Sequence, residues 1–223
     1  MKQAQKRNPD LHSTAIIPQS NDATAETLKI PGIRYHEVNL NGGAFERALL
    51  WKLSWSGLTR LLALMAWGRR SEAISILGRE VMQPRGLVGL GKDSIDHCWV
   101  ELREVLQILA DSPNYPVMVH CTQGKDRTGL VVILLLLMLE IPLDAITYDY
   151  VASEVALRSD KEARMQEITE LGLTEEFAGT PSNFTAQISQ HLDDKYGGLL
   201  LYLQRIGFET GLREKIESVC LHL

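Results

Sequence analysis

One cysteine in this sequence has neighbours that favour nucleophilic chemistry. Cys121 is followed at the sixth position by Arg127, within a segment that reads HCTQGKDRTG from residue 120 to residue 129. A thiol must lose its proton to act as a nucleophile, and nearby cations, backbone N–H groups and the amino end of a helix favour the thiolate. A guanidinium can hold two phosphate oxygens in a planar fork. The spacing therefore predicts a phosphate-binding loop with Cys121 as nucleophile.

The remaining residues of the segment also have predicted roles. We expect Cys121 to attack phosphorus and form a phosphocysteine, which water then hydrolyses. The Thr128 hydroxyl would donate to the sulfur as it leaves, the two glycines would permit tight turns and close approach, and His120 would hydrogen-bond the loop in a supporting role. Arg127 and the loop amides supply positive charge, so neither a metal nor another cofactor is predicted. The expected substrate-binding residues are Thr122, Gln123, Gly124, Lys125, Thr128 and Gly129.

The sequence on either side predicts the elements that hold this loop. Residues 117–119 (VMV) form a short apolar run after Pro116, which indicates a fully buried strand. The apolar run from residue 129 to residue 139 predicts a core helix, since it is about half of the roughly 20 residues that a membrane span needs. The predicted fold class is α/β, with a central, mainly parallel sheet flanked by helices and the loop at the carboxyl end of a strand.

The rest of the chain is divided by its patterns into further elements. Residues 1–28 read as a loosely ordered N-terminal segment with a short strand at 14–17, and residues 29–223 as a single domain. A strand is predicted at 33–40 and helices at 44–82. Another helix is predicted to begin near Ser94, capped by Asp93 or Ser94. Successive helices are predicted at residues 144–157, 161–171, 182–192, 199–206 and 212–220.

Composition narrows the function classes. The 223 residues carry a net charge of −5, so the chain as a whole is not suited to coat nucleic acid. Its three cysteines, Cys98, Cys121 and Cys220, are too few for a disulfide framework. With no secretory signal visible, the expectation is a reducing, cytoplasmic setting in which Cys121 stays a free thiol, and no transmembrane segment. The sequence does not indicate an oligomeric state.

The segment from His120 to Gly129 resembles the signature of the cysteine-based protein tyrosine phosphatase superfamily. It is most similar to the HCxxGKDRTG branch of bacterial and fungal tyrosine/serine phosphatase-like proteins, and the similarity is strongest over residues 117–153. The resemblance implies a protein tyrosine phosphatase-like domain, with a helical lid or insertion at 44–82 and a helical C-terminus. It also implies activity on phosphotyrosine, extending to phosphoserine/threonine or phosphoinositides. Asp149, Tyr150 and Ser153 match the branch's DYxxS pattern and are expected to pack behind the loop.

The general acid is open between Asp126 and Asp93, and the third alternative is that neither serves. Many tyrosine phosphatases use an aspartate on a separate loop, and Asp93 and Asp96 lie 28 and 25 positions before Cys121. The resemblance to the HCxxGKDRTG branch instead favours Asp126, inside the loop. Lys125 adds a second cation, and phosphoinositide 3-phosphatases related to tensin also carry lysine at this loop position. This suggests a substrate with more than one anionic group.

The sequence also departs from the branch, and this leaves other functions open. Branch members begin with a strand containing Asp-Leu-Arg, whereas the nearest candidate here, residues 8–12 (NPDLH), lacks the arginine. A truncated form or a diverged first strand would explain this, and either would reduce activity. A catalytically weak or inactive phosphate-binding pseudophosphatase is therefore the alternative. A sulfurtransferase or arsenate reductase is disfavoured by Lys125, Asp126 and Thr128. The Trp- and Leu-rich helices at 44–82 indicate either core packing or a surface that faces the substrate or makes peripheral membrane contact.

Overall fold

The computed structural model describes residues 30–157 and 161–221, and helices dominate this part of the chain. The predicted N-terminal segment, its strand at 14–17 and the NPDLH segment lie outside the described residues. The α-helices are α1 (Gly43–Leu50), α2 (Trp55–Ala66), α3 (Arg70–Leu77), α4 (Gln83–His97), α5 (Trp99–Leu109), α6 (Arg127–Met138), α7 (Leu143–Ala156), α8 (Lys161–Glu170), α9 (Phe184–Tyr196), α10 (Leu199–Arg205) and α11 (Thr210–Leu221). A π-helical turn (Gly78–Met82) and two 3₁₀ turns (Ser112–Asn114 and Glu175–Ala178) connect some of them.

The predicted central parallel sheet is wrong, because the described residues contain no β-strand. Residues 117–119 run without regular secondary structure, and Met118 is 83% exposed rather than buried on both faces. Residues 33–39 are likewise irregular and mostly exposed. A strand exists only when a neighbour accepts and donates its backbone hydrogen bonds. Neither segment pairs with the other, so the apolar side chains of Val117 and Val119 pack directly against helices of the core.

The predicted helices of the second half of the chain are confirmed. Helix α6 takes up the apolar run after the loop and buries Leu130, Ile133 and Leu134. It packs against α5 on one side, and against α7 and α10 on others. Burying each such side chain contributes about 1.5–3 kcal/mol. Helix α6 is therefore anchored in the core. Because the candidate loop runs directly into this helix, its end is anchored there too.

The helices predicted at 44–82 are also confirmed, as α1 to α3 with the π-helical turn.

The helix start predicted at Ser94 is wrong. Helix α4 already runs through Asp93 and Ser94, and α5 begins after Cys98. Gly86, with φ +60° and ψ 178°, kinks α4 near its start. Asp93 does not cap a helix, because its carboxylate accepts hydrogen bonds from Arg85 at 2.9 and 2.6 Å.

Helices α4 and α9 are joined by a polar cluster around Asp96. This carboxylate accepts hydrogen bonds from His191 at 2.8 Å and Tyr196 at 2.7 Å, and pairs with Lys195 at 2.7 Å. Burial alone would raise the pKa of Asp96, but these partners outweigh it and hold the pKa below its usual range. Asp96 is thus committed to a structural contact. Within the described residues, no helix is long and apolar enough to cross a membrane.

Candidate active site

The candidate loop lies between the irregular segment at 117–119 and the amino end of α6. Cys121 is partly buried, and its sulfur accepts a hydrogen bond from the Gly124 N–H at 3.2 Å. Gly124 has φ +71°, a left-handed conformation that glycine adopts without strain, and this turns the chain back toward the sulfur. The first helical hydrogen bonds run from Gly129 N–H to Lys125 O and from Leu130 N–H to Asp126 O. The sulfur therefore faces the positive end of α6.

The thiolate form of Cys121 is stabilised by this arrangement. Burial alone would raise its pKa, but the Thr128 hydroxyl and N–H, the charge of Arg127 and the Gly124 N–H together lower it below that of an ordinary thiol. The Thr128 hydroxyl acts by proximity, because its oxygen is buried and has no partner that meets hydrogen-bond geometry among the described residues. A larger fraction of thiolate at neutral pH is what a cysteine nucleophile requires.

Arg127 is the first residue of α6 and reaches across the loop. Its Nη2 donates a hydrogen bond to Thr122 Oγ1 at 3.0 Å, and Thr122 is exposed. The guanidinium therefore lies beside the loop that begins at Cys121, with other N–H donors remaining for an anion. Gln123 is partly buried between these residues.

Lys125 points away from the exposed side of the loop. Its side chain is completely buried, and Nζ donates to the carbonyl oxygens of Phe177 at 2.8 Å and Gly179 at 2.7 Å. Burial lowers the pKa of Lys125, against the opposing effect of Asp126. The lysine thus attaches the loop to the 3₁₀ turn Glu175–Ala178, although its charge still acts on Cys121. Direct contact with a substrate phosphate would require it to leave both carbonyl groups.

Asp126 is the last residue of the loop before α6, and one of its carboxylate oxygens is shielded. Its side chain as a whole is 41% exposed, but Oδ1 is buried, lies 3.5 Å from Lys125 Nζ and makes no hydrogen bond within the described residues. This burial raises the pKa of Asp126, and the charges of Lys125, Arg127 and Arg164 only partly offset it. A carboxyl group with a raised pKa keeps its proton to higher pH, as a general acid must.

Comparison with known proteins identifies the family. A model described as the tyrosine phosphatase family matches residues 21–222, nearly the whole chain. The chain belongs to this family. The superfamily indicated by the loop sequence is thereby confirmed.

Several curated phosphatases are similar over shorter stretches. The triple specificity protein phosphatase PtpB of Mycobacterium tuberculosis is 30% identical over 135 residues, which cover 54% of this chain and 48% of that protein. Inositol diphosphatase DSP4 of Arabidopsis thaliana is 30% identical over 135 residues, 55% of this chain and 65% of that protein. A tyrosine-protein phosphatase of Nostoc commune is 31% identical over 90 residues, 37% of this chain and 31% of that protein. The chain thus matches between 31% and 65% of the length of these relatives.

Behind the loop of this tyrosine phosphatase family member lies a cavity of about 190 Å³. Asp149, Tyr150 and Ser153 line it on the α7 side, opposite Gly124, Thr128 and Gly129, so the DYxxS residues do pack behind the loop. The ring of Tyr150 stacks on Phe184, with 4.9 Å between centroids. A Cβ on Gly129 would lie 2.9 Å from that ring, so glycine is needed here for close approach.

Four other residues are exposed or contact other parts of the protein, namely His120, Asp93, Cys98 and Cys220. His120 is exposed, and its side chain makes no hydrogen bond with the part of the chain that the structure describes, so its predicted contact with the loop is not formed. Asp93 is 2% exposed and paired with Arg85. Cys98 donates to Leu40 O at 2.7 Å, and Cys220 lies 3.6 Å from the Tyr115 hydroxyl. All three cysteines are free thiols.

Sequence reasoning missed Arg164, a buried cation on α8 that faces the site. Arg164 is 7% exposed, donates to the carbonyl oxygens of Leu157 and Ala178, and its charge lowers the pKa values of Asp126 and Lys125. A single arginine in a mostly polar helix gives no signal of this kind, because its burial depends on how α8 packs. The described residues contain no group of three or more His, Cys, Asp or Glu arranged to hold a metal ion.

Proposed function

We propose that this protein is a cysteine-dependent phosphatase that hydrolyses phosphomonoesters through a phosphocysteine intermediate on Cys121. The observation that carries the proposal is the position of the sulfur, which receives the Gly124 N–H beside the amino end of α6 and near the guanidinium of Arg127. The same features that lower the thiol pKa would also bind a phosphate dianion. Membership of the tyrosine phosphatase family supports this chemistry.

In the first step, the Cys121 thiolate attacks phosphorus opposite the ester oxygen. The S–P bond forms, the P–O ester bond breaks, and its electron pair goes to the leaving alcohol, which takes a proton from Asp126. Arg127 and the loop N–H groups stabilise the charge on the remaining phosphoryl oxygens. The raised pKa of Asp126 and its place in the loop support its role as the acid over Asp93, whose carboxylate is bound to Arg85.

In the second step, water attacks the phosphocysteine. The S–P bond breaks, its electron pair returns to sulfur as the thiolate, and the water proton passes to the Asp126 carboxylate, which restores the acid. The Thr128 hydroxyl, buried and near the sulfur, is positioned to stabilise the departing thiolate. The substrate-binding residues in this scheme are Thr122, Gln123, Gly124, Thr128 and Gly129, and Lys125 contributes through its charge.

Hydrolysis of p-nitrophenyl phosphate by wild type and by Cys121→Ser tests the proposal. The expected result is turnover by wild type and none above background by the serine variant, because a serine hydroxyl is not ionised in this setting. A phosphate-trapping experiment should also give a phosphocysteine on wild type. If both proteins are inactive but bind inorganic phosphate, the pseudophosphatase alternative replaces this one.

The proposed substrates include phosphotyrosine proteins, phosphoserine/threonine proteins and phosphoinositides. The relatives named as triple specificity and inositol diphosphatases support this range. A panel of phosphopeptides and short-chain phosphoinositides, compared by kcat/KM, would establish which class is preferred. We further propose that the protein works in a reducing compartment such as the cytoplasm, because a free, low-pKa thiol is the oxidation-prone form of cysteine.

A further inference from the structure

Three of the four tryptophans in the chain lie exposed in one region. Trp51 is 86% exposed, Trp55 is 83% exposed and Trp67 is 76% exposed, whereas Trp99 on α5 is 44% exposed. An indole ring carries a large apolar area, and contiguous exposed apolar surface on a soluble domain commonly marks a contact with a partner or a membrane. The core-packing expectation for these helices therefore does not apply to their tryptophans.

These tryptophans lie on and beside the exposed side of helix α2. The helix buries Gly57 and Leu61, whereas Leu62, on the same side as Trp55, is 58% exposed. Trp67 follows Trp55 by twelve positions at about 100° each, and so lies about a third of a turn further round the helix. Trp51 precedes the helix by about one turn of chain, and Trp67 caps its carboxyl end. Twelve residues of helix extend about 18 Å. The four side chains Trp51, Trp55, Leu62 and Trp67 are called here the tryptophan face.

The charge around the tryptophan face is opposite to that of the rest of the protein. Residues 43–82 contain six Lys and Arg against three Glu, a net charge of +3, so the remainder of the chain carries −8 of the total of −5. Arg60 pairs with Glu80 and Arg69 with Glu72, and both acids are included in that count, whereas Lys52 pairs at 3.6 Å with Asp93, which lies outside it. The local excess of cations favours a negatively charged partner.

Helix α2 is held firmly enough to present this face in one orientation. Ser54 Oγ accepts a hydrogen bond from Gly57 N–H at 3.0 Å, and the same hydroxyl donates to Glu80 at 3.2 Å. A Cβ on Gly57 would lie 2.2 Å from a carboxylate oxygen of Glu80, so the helix packs closely on the chain that follows α3. The exposure of the tryptophans therefore follows from the packing on the opposite side of α2.

We propose that the tryptophan face docks this domain onto an anionic membrane surface. Indole rings favour the interfacial layer of a bilayer, where the ring is half in contact with lipid and its N–H reaches polar groups. Flanking Lys and Arg side chains are attracted to anionic headgroups. A second copy of the chain is a poorer partner, because it would bring two segments of charge +3 together. Docking does not require turnover, and it does not depend on the proposed phosphatase function.

Vesicle co-sedimentation of the full chain tests the proposal. Wild type and Cys121→Ser should bind phosphatidylcholine vesicles that contain phosphatidylserine, and neither should bind phosphatidylcholine alone. A triple variant, Trp51→Ser/Trp55→Ser/Trp67→Ser, should lower the partition coefficient by at least about tenfold, through loss of the apolar area buried in the interface. Arg69→Gln/Arg70→Gln should lower it by about fivefold for each side chain. Trp99→Ser is the matched control and should bind as wild type does.

Hydrolysis of p-nitrophenyl phosphate by the triple variant, with its circular dichroism spectrum, separates docking from folding and from catalysis. The activity and the spectrum should both match those of wild type, because the tryptophan face contains none of the loop residues. Wild type that ignores anionic vesicles, or a triple variant that binds them equally well, would overturn the proposal. So would a concentration-dependent dimer that the triple variant abolishes, which would make a second copy the occupant. None of these results bears on whether Cys121 is the nucleophile.

Discussion

Replacing Lys125 by methionine tests the orientation of this lysine, which was expected to face the substrate. Methionine retains most of the stem but removes the Nζ that donates to Phe177 O at 2.8 Å and Gly179 O at 2.7 Å. It also removes the cation 3.5 Å from Asp126. The loop would lose its attachment to the 3₁₀ turn Glu175–Ala178.

The magnitude follows from these contacts. A hydrogen bond to a charged group contributes about 1.5–3 kcal/mol, and a buried acceptor left unpaired costs about 1–3 kcal/mol. Keeping the ammonium buried costs free energy, as its lowered pKa reflects, and its removal also removes that cost. This offsets part of the loss. We therefore expect Lys125→Met to lower the free energy of unfolding by about 2–4 kcal/mol. Lys215→Met, at an exposed position of α11, is the matched control and should change it by less than about 0.5 kcal/mol.

Urea denaturation followed by circular dichroism measures the stability, and kcat/KM on two substrates measures the effect on the loop. Because Nζ faces the protein, kcat/KM for a phosphotyrosine peptide and for a short-chain phosphoinositide should fall by the same factor. Unchanged stability together with a loss confined to the phosphoinositide would refute this reasoning. That result would mean that Lys125 leaves the two carbonyl groups and contacts the substrate.

Three further changes test the other features of the loop. Asp126→Asn should lower kcat by about 10²–10⁴-fold for a poor leaving group such as phenyl phosphate and much less for p-nitrophenyl phosphate. It should also remove the fall in rate at high pH, because a raised pKa keeps wild-type Asp126 protonated only below that value; an unchanged profile would exclude it as the acid. Thr128→Val should shift the pH dependence of Cys121 alkylation by iodoacetamide to higher pH, since Thr128 helps to lower the thiol pKa, and an unshifted curve would contradict this role. Gly129→Ala should destabilise the protein by about 1–3 kcal/mol in urea denaturation, because its Cβ would meet the Tyr150 ring at 2.9 Å, and an unchanged midpoint would show that the ring moves aside freely.

The sequence by itself predicted the residues of the candidate loop and most of the helices. Cys121 and Arg127 could be proposed as nucleophile and anion ligand because those roles depend on residue type and on a short spacing along the chain. The apolar run of residues 129–139 has to be buried wherever it lies in the fold, and α6 indeed lies in the core. The spacing and residue types of these segments are local properties, and the sequence specifies them directly.

The tertiary structure decided everything that depends on a distant neighbour. The apolar run at 117–119 has the pattern of a buried strand, but a strand needs backbone partners, and the described residues supply none. Lys125 has the charge expected of a phosphate ligand, yet carbonyl groups more than 50 residues away hold its ammonium inside the protein. Trp51, Trp55 and Trp67 look like core residues by composition and are exposed. Whether a side chain is buried or exposed depends on how distant segments pack around it, and no local sequence pattern specifies this.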